Sequence, residues 1–427
     1  MKNFKTNINF KIFLFFQQIF SQLLFPTLMI LFWGKDNFNL WIYFLSIPLF
    51  FSFMQISVAE PARNEMALEY KKKNFIKLNE IYQNVFFLNV INIFIFIILL
   101  IFYLIINDQS NILKNNQELI FIIILISALS FLNSPLIMLL NYKGNLKNSL
   151  FIEIFFNVSI SIIIPLSHFF LKNFYYTFYL LCSISILKFL VFFYVIDDDK
   201  INKFFNLKLF SFKEIKRIFK YSIGFNTEIM STLFKGPGLI FLIGSTNFIT
   251  SLALIQTART LFYYLPIKIF YIFYTPLIFE TNKRYKNHQF NKDDLKKFYL
   301  LILVVSILFI LFYLIVSATG LYIYEFWLRK EIIINKELIK IITVDSLIVI
   351  LGLIITIPLK AINKYNIIGS CDLILNVMSV LIIFYLEIYA NLILMFKILL
   401  FFSILNLLIR LLVAYFFIKN NTKQKVV

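Results

Sequence analysis

Apolar stretches of about twenty residues recur along nearly the whole chain, separated by short polar breaks, and this repetition constrains the fold more than any single motif does. In lipid, backbone N–H and C=O groups have no water to bond, so runs of this length imply membrane-crossing helices. We place twelve, at 12–32, 38–59, 82–106, 118–140, 150–170, 175–196, 219–243, 248–279, 298–319, 338–359, 367–388 and 391–418. The eighth is long for one crossing and contains Pro266 and Pro276, so it is expected to tilt, kink or run past the membrane surface. Only 15% of the 427 residues are charged and 60% are hydrophobic, whereas soluble domains are about a quarter charged. No large soluble catalytic domain fits between the spans. The basic start, Met1 to Lys11, lacks a small-residue cleavage site and reads as a retained first helix.

The two cysteines, Cys182 and Cys371, fall inside apolar runs and read as small buried hydrophobes. His168 and His288 sit at opposite ends of spans, too few and too far apart for a metal site, and no metal is expected. No glycine loop followed by Lys-Ser or Lys-Thr is present, so ATP hydrolysis by this chain and a bound cofactor are not expected.

Orientation follows from the basic residues, which are in excess in cytoplasmic loops. With the N-terminus inside, 28 of the 41 Lys and Arg fall in cytoplasmic segments, 6 outside and 7 in spans. Both termini are therefore expected in the cytoplasm. The net charge of +19 then reports topology and anionic headgroups, not nucleic acid.

The two halves repeat. A shift of 215 places Pro61 on Pro276, Glu65 on Glu280 and Tyr70 on Tyr285, and a shift of 219 places Glu118 on Glu337, Asn157 on Asn376 and acidic Glu153 on acidic Asp372. The expected fold is an all-α polytopic membrane protein with about twelve transmembrane helices in two six-helix bundles, related by a pseudo-two-fold along the membrane normal. The bundles are 1–199 and 219–427, joined by a basic cytoplasmic linker at 200–218. A cavity between them is expected, and polar residues within spans should face it or neighbouring helices. Spans one and seven are the polar ones. Gln17, Gln18, Ser21 and Gln22 precede Pro26, while Asn226, Thr227, Glu228, Ser231, Thr232 and Lys235 precede Gly236, Pro237 and Gly238. A shift of 211 superposes Pro26 on Pro237, so Pro26, Gly236, Pro237 and Gly238 are candidate gating bends, with a static kink as the alternative.

The segment Ala59-Glu60-Pro61-Ala62-Arg63-Asn64-Glu65 through Tyr70-Lys71-Lys72-Lys73 resembles the corresponding loop of polysaccharide flippases. So do Pro276 through Lys297 and Tyr324-Glu325-Phe326-Trp327. With the span layout, the chain resembles the O-antigen (Wzx-type) flippases of the multidrug, oligosaccharidyl-lipid and polysaccharide (MOP) exporter superfamily. The resemblance implies a bacterial inner-membrane protein that carries an undecaprenyl-pyrophosphate-linked oligosaccharide repeat unit by alternating access, for O-antigen or capsule synthesis. Its partners would be that glycan lipid, membrane lipid, and the polymerase and chain-length regulator of the pathway.

An anionic headgroup with polar sugars needs a wet, cationic path. Lys188, Lys235, Arg259, Lys268, Lys397 and Arg410 lie within spans, against embedded acids Glu153, Glu228, Asp345 and Asp372. Lys235 and Arg259 lie deep in adjacent helices and are the leading substrate-binding candidates, with Lys188 and Lys397 next. Glu228 and Asp345 are the ion-coupling candidates, Glu228 standing seven residues before Lys235 on the same helical face. Lys268 and Arg410 are expected to snorkel to the cytoplasmic surface. Glu153 and Asp372 are read as structural or capping acids, and the run Phe262, Tyr263, Tyr264 as packing or a sugar-stacking surface. An ion-coupled multidrug exporter of the same superfamily would prefer acids in its cavity. A polysaccharide polymerase would resemble a protein with a large external loop, and no external loop here exceeds about twenty residues.

Overall fold

The computed structural model describes residues 2–52, 59, 62–63, 65–67, 69–70, 72–106, 117–141, 147–171, 173–196, 209–246, 248–284, 292–361 and 366–423. Residues 200–208 of the expected linker at 200–218, and Glu60, Pro61, Asn64, Lys286 and His288, lie outside them.

The chain is an all-α polytopic membrane protein. Its helices are α1 (Lys2–Phe51), α2 (Phe75–Ile106), α3 (Gln117–Asn141), α4 (Lys147–Leu166), α5 (Tyr176–Val195), α6 (Phe212–Leu233), α7 (Leu239–Gly244), α8 (Leu252–Arg259), α9 (Leu265–Arg284), α10 (Lys292–Trp327), α11 (Lys336–Ala361), α12 (Asn366–Tyr385) and α13 (Leu392–Lys423). Among the described residues, nine helices are long and apolar enough to cross a membrane. The first of these holds two crossings, because α1 breaks at Gly34, where φ is +80° and ψ is 166°. Only glycine reaches that backbone region cheaply, so one residue turns the chain between spans one and two. The backbone stays helical through Pro26, eight residues before the break. The seventh and eighth crossings are interrupted helices: π-helical Phe234–Gly238 joins α6 to α7, and π-helical Thr260–Tyr264 joins α8 to α9.

The chain divides into two compact units, residues 1–229 with 240–250, and residues 230–239 with 251–427. The division falls within the seventh crossing, whereas the sequence places it at the linker before that crossing.

In the first unit α1 packs along α4, and α3 is flanked by α2 and α5. Trp41, Phe174, Phe178 and Phe44 interlock between α1 and α5, with Trp41 and Phe178 ring centroids 5.0 Å apart. At the end carrying the basic loops, an ion network ties α6 to α2 and to the loop after span two. Lys77 donates to Glu80 at 3.1 Å and to Glu214, while Arg217 donates to Glu65 at 2.7 Å. Asn84 fixes the start of this join, donating to the Leu209 carbonyl at 3.2 Å and accepting from the Ser211 N–H at 2.9 Å.

In the second unit α11 is central and packs on α9, α10 and α13, with α12 against α13. The outward side chains are apolar, as a bilayer requires: α10 presents Leu300, Leu303, Ile307, Ile310, Leu314 and Ile315, all exposed. In water such a face would drive aggregation; in hydrocarbon it is the solvated surface.

Candidate functional site

The polar interior of the second unit is built on the two interrupted crossings. Pro237 has no N–H to give, and Gly236 and Gly238 relax the helix around it, so the backbone winds into a π turn there. In that register the Leu239 N–H donates to the carbonyls of Phe234 and Gly236 and passes over that of Lys235. The Lys235 carbonyl instead accepts from Arg259 Nη1 at 2.7 Å. Arg259 is the last residue of α8, immediately before the second π turn, so one guanidinium joins the two irregular segments. Gly236 gives the crossing point its close fit, since a Cβ there would come within 3.2 Å of the Tyr264 hydroxyl.

The charges are sealed from the surface. Lys235 is 5% exposed, Arg259 2% and Asp345 3%. Lys235 Nζ donates to Asp345 Oδ1 at 2.9 Å and to Ser403 Oγ at 2.6 Å, which draws α11 and α13 onto the π turn. Both cations lie near tyrosine rings. Arg259 stands 5.2 Å from the centroid of Tyr263 and 5.1 Å from that of Tyr264, and Lys235 Nζ stands 5.3 Å from Tyr263. A guanidinium bonded at one edge and flanked by rings is held in one orientation. Phe262 instead stacks on Tyr324, whose hydroxyl shares a 2.7 Å hydrogen bond with Thr257, so it is a packing residue. One turn before Lys235, Asn376 donates to Ser231 Oγ at 2.7 Å.

The structure thus brings Lys235, Arg259 and Asp345 together. The carboxylate on Lys235 is that of Asp345, 110 residues away, and not that of Glu228 two turns below on its own helix. Ser403 and Tyr263 complete the cluster; nothing in its sequence surroundings marks Ser403, while Tyr263 belongs to the aromatic run 262–264. Lys188 and Lys397 lie elsewhere. Lys188 is half-buried in the first unit, with Glu153 as its electrostatic partner and the Phe192 ring 5.9 Å away. Lys397 forms a 2.8 Å ion pair with Glu337 in which the two side chains are 53% and 50% exposed.

These outlying charges follow the internal repeat. Glu118 accepts from Tyr179 in the first unit as Glu337 pairs with Lys397 in the second. Glu153 faces Lys188 as Asp372 binds Arg410. The offsets from Tyr179 to Lys397 and from Lys188 to Arg410 are 218 and 222, a slip of about one helical turn that keeps the face. Arg410 does not snorkel. Its Nη2 and Nε reach the two Asp372 oxygens at 2.5 and 3.2 Å, and Asn406 accepts a third bond at 3.0 Å. A buried carboxylate within reach holds the guanidinium more firmly than a distant headgroup would.

No protein-family model matches the chain, and no curated protein matches it. Among solved structures it is similar to a multidrug resistance MATE family transporter of the MOP superfamily in an inward-facing conformation, over 96% of both chains, at TM-score 0.71 and 12% identity. It is also similar to an outward-facing MATE family transporter of that superfamily, over 96% of both chains, at TM-score 0.55 and 11% identity. A MOP superfamily transporter from Pyrococcus furiosus, described by the reversed polarity of its binding pocket and a suggested different function, aligns over 96% of both chains at TM-score 0.53 and 11% identity. The chain has the fold of MOP-superfamily transporters.

Proposed function

We propose that this protein is a flippase that moves an undecaprenyl-pyrophosphate-linked oligosaccharide repeat unit from the cytoplasmic to the periplasmic leaflet of a bacterial inner membrane by alternating access. The observation that carries the reading is the sign of the charge inside the second unit. Among the described residues the buried charges Lys235, Arg259, Asp345 and Asp372 balance, and the half-buried Lys268, Lys360 and Arg410 outnumber the half-buried Glu325. An interior with surplus positive charge attracts a pyrophosphate and repels a cationic drug. The Pyrococcus furiosus transporter, whose pocket polarity is reversed, supports treating pocket charge as separable from this fold.

In this reading Asp345 is the coupling group and Lys235 the group it releases. While Asp345 is ionised, Lys235 Nζ is held at 2.9 Å and is closed to substrate. A proton or cation taken up at Asp345 removes that hold and frees Lys235 for a substrate phosphate. Arg259 keeps the π turn in register through the Lys235 carbonyl, so Gly236, Pro237 and Gly238 form the bend that yields once the ion pair opens. The likeness to MATE transporters favours a second reading, an ion-coupled multidrug exporter on the same fold.

Complementation of a flippase-null strain separates the two. Wild type should restore surface glycan, and Lys235→Gln, Asp345→Asn and Arg259→Gln should each abolish it while reaching the membrane in normal amount. Resistance to cationic dyes without restored glycan would establish the exporter reading instead.

A further inference from the structure

The Lys235 ammonium occupies a place shaped for a small monovalent cation. Asp345 Oδ1 and Ser403 Oγ accept from Nζ at 2.9 and 2.6 Å, and the Tyr263 ring centroid stands 5.3 Å away. Ser403 donates its own proton to the Leu399 carbonyl at 3.0 Å, so its lone pairs stay turned toward the ammonium. The second Asp345 oxygen, Oδ2, makes no hydrogen bond among the described residues. Carboxylate and hydroxyl oxygens beside a ring face suit a hard cation without directional bonds, and nothing in the set requires an N–H.

In the flippase reading Lys235 leaves this place to meet a substrate phosphate. Its departure strands a carboxylate that is 3% exposed, and a buried charge has to be paired again or neutralised. We infer that a sodium or potassium ion then fills the place, bound by Asp345 and Ser403, so that a tethered ammonium and a free metal cation exchange at one site. The exchange conserves charge: one cation leaves the carboxylate as another arrives, and Asp345 stays ionised throughout. Ser403 thereby becomes a ligand that helps to select the cation. The inference rests on the flippase reading for the event that draws Lys235 away, and on the geometry for the site itself. The refilling ion need not be the ion whose gradient drives transport.

The test removes the tether. Lys235→Ala in the full chain, in detergent, should unfold at a lower midpoint than wild type in choline chloride, whose cation is too large for the place. Ammonium, sodium and potassium chloride at the same ionic strength should each raise that midpoint, with a dependence on concentration that saturates. The larger effect of sodium or of potassium identifies the ion. Wild type should show no such difference among the salts, and neither should Lys235→Met, whose side chain fills the place. Adding Ser403→Ala to Lys235→Ala should weaken the rescue, and adding Asp345→Asn should remove it. Rescue by ammonium alone would mean a place that rejects metal ions and overturns the inference, as does one midpoint in all four salts. A second measurement needs no variant. Wild type should bind farnesyl pyrophosphate, a short polyprenyl pyrophosphate, about tenfold more tightly in sodium or potassium chloride than in choline chloride, since both ligands favour the released lysine. Equal affinity in every salt overturns the exchange. No binding in any salt, beside metal rescue of Lys235→Ala, overturns the flippase reading and leaves the cation site standing.

Discussion

The two units solve the same problem, keeping polar groups inside a membrane protein, with different chemistry. The buried polar side chains of the first are mostly amides and hydroxyls, among them Gln17, Asn39, Gln83, Asn84, Asn89, Asn133 and Asn141, and its one buried charge among the described residues, Glu214, sits in the ion network at the helix ends. Among its described residues the second buries Lys235, Arg259, Asp345 and Asp372 and no amide. Some of the amide oxygens, on Gln17, Asn89 and Asn133, have no partner among the described residues. A neutral amide tolerates that; a buried charge does not. The difference shows that one repeat can diverge into a unit whose interior is insensitive to pairing and a unit whose interior depends on it. Dependence on pairing makes a switch possible, because an ion or proton that breaks one pair changes the stability of the whole cluster.

The comparison breaks most readily at its strongest point. Lys235→Met leaves Asp345 buried and unpaired and should cost about 3–5 kcal/mol, seen as a collapse of the detergent unfolding midpoint. Asn133→Leu in the first unit should cost under about 1 kcal/mol, since it removes an amide whose oxygen is already unpaired. The double variant Lys235→Met with Asp345→Leu should recover most of the lost stability and none of the transport. Equal costs for Lys235→Met and Asn133→Leu would erase the distinction between the units.

A second contrast uses the repeat-related pairs. Arg410→Ala strands the bidentate Asp372 and should cost about 3 kcal/mol. Lys188→Ala breaks no direct ion pair and should cost under about 1 kcal/mol. Matched losses at both positions would mean that the first unit depends on its pair as heavily as the second.

Arg259→Lys is expected to leave the fold nearly intact and to reduce transport about tenfold, because an ammonium cannot hold a carbonyl and lie flat against two rings at once. Full activity would place the π-turn contact outside the transport cycle. The smallest effect belongs to the rim. Arg217→Ala should cost at most about 1 kcal/mol and become undetectable in high salt, whereas the effect of Lys235→Met should persist there.

Much of the fold is legible in the sequence because the bilayer enforces one rule, a run of about twenty apolar residues per crossing. The polar character of span seven and its Gly-Pro-Gly bend are legible for the same reason, since both stand out against an apolar background. The π register at that bend is not, because α and π turns have the same composition and differ only in which carbonyl each N–H selects. Nor is the Lys235–Asp345 pair. Helical periodicity relates residues a few turns apart, so it suggests Glu228, and it carries no information about a residue on the tenth span. A fixed repeat offset reveals the equivalence of Glu153 and Asp372 but misses their partners, because Lys188 and Arg410 are displaced by one further turn.

The account stands on what crosses the membrane, and the most direct measurement is flipping itself. The purified chain, reconstituted in liposomes with a fluorescent undecaprenyl-pyrophosphate oligosaccharide and an imposed pH gradient, should move the lipid to the leaflet where an added quencher reaches it. Lys235→Gln and Asp345→Asn should abolish the movement. Transport of a cationic dye by wild type under the same gradient, with the glycan lipid left in place, would contradict the account.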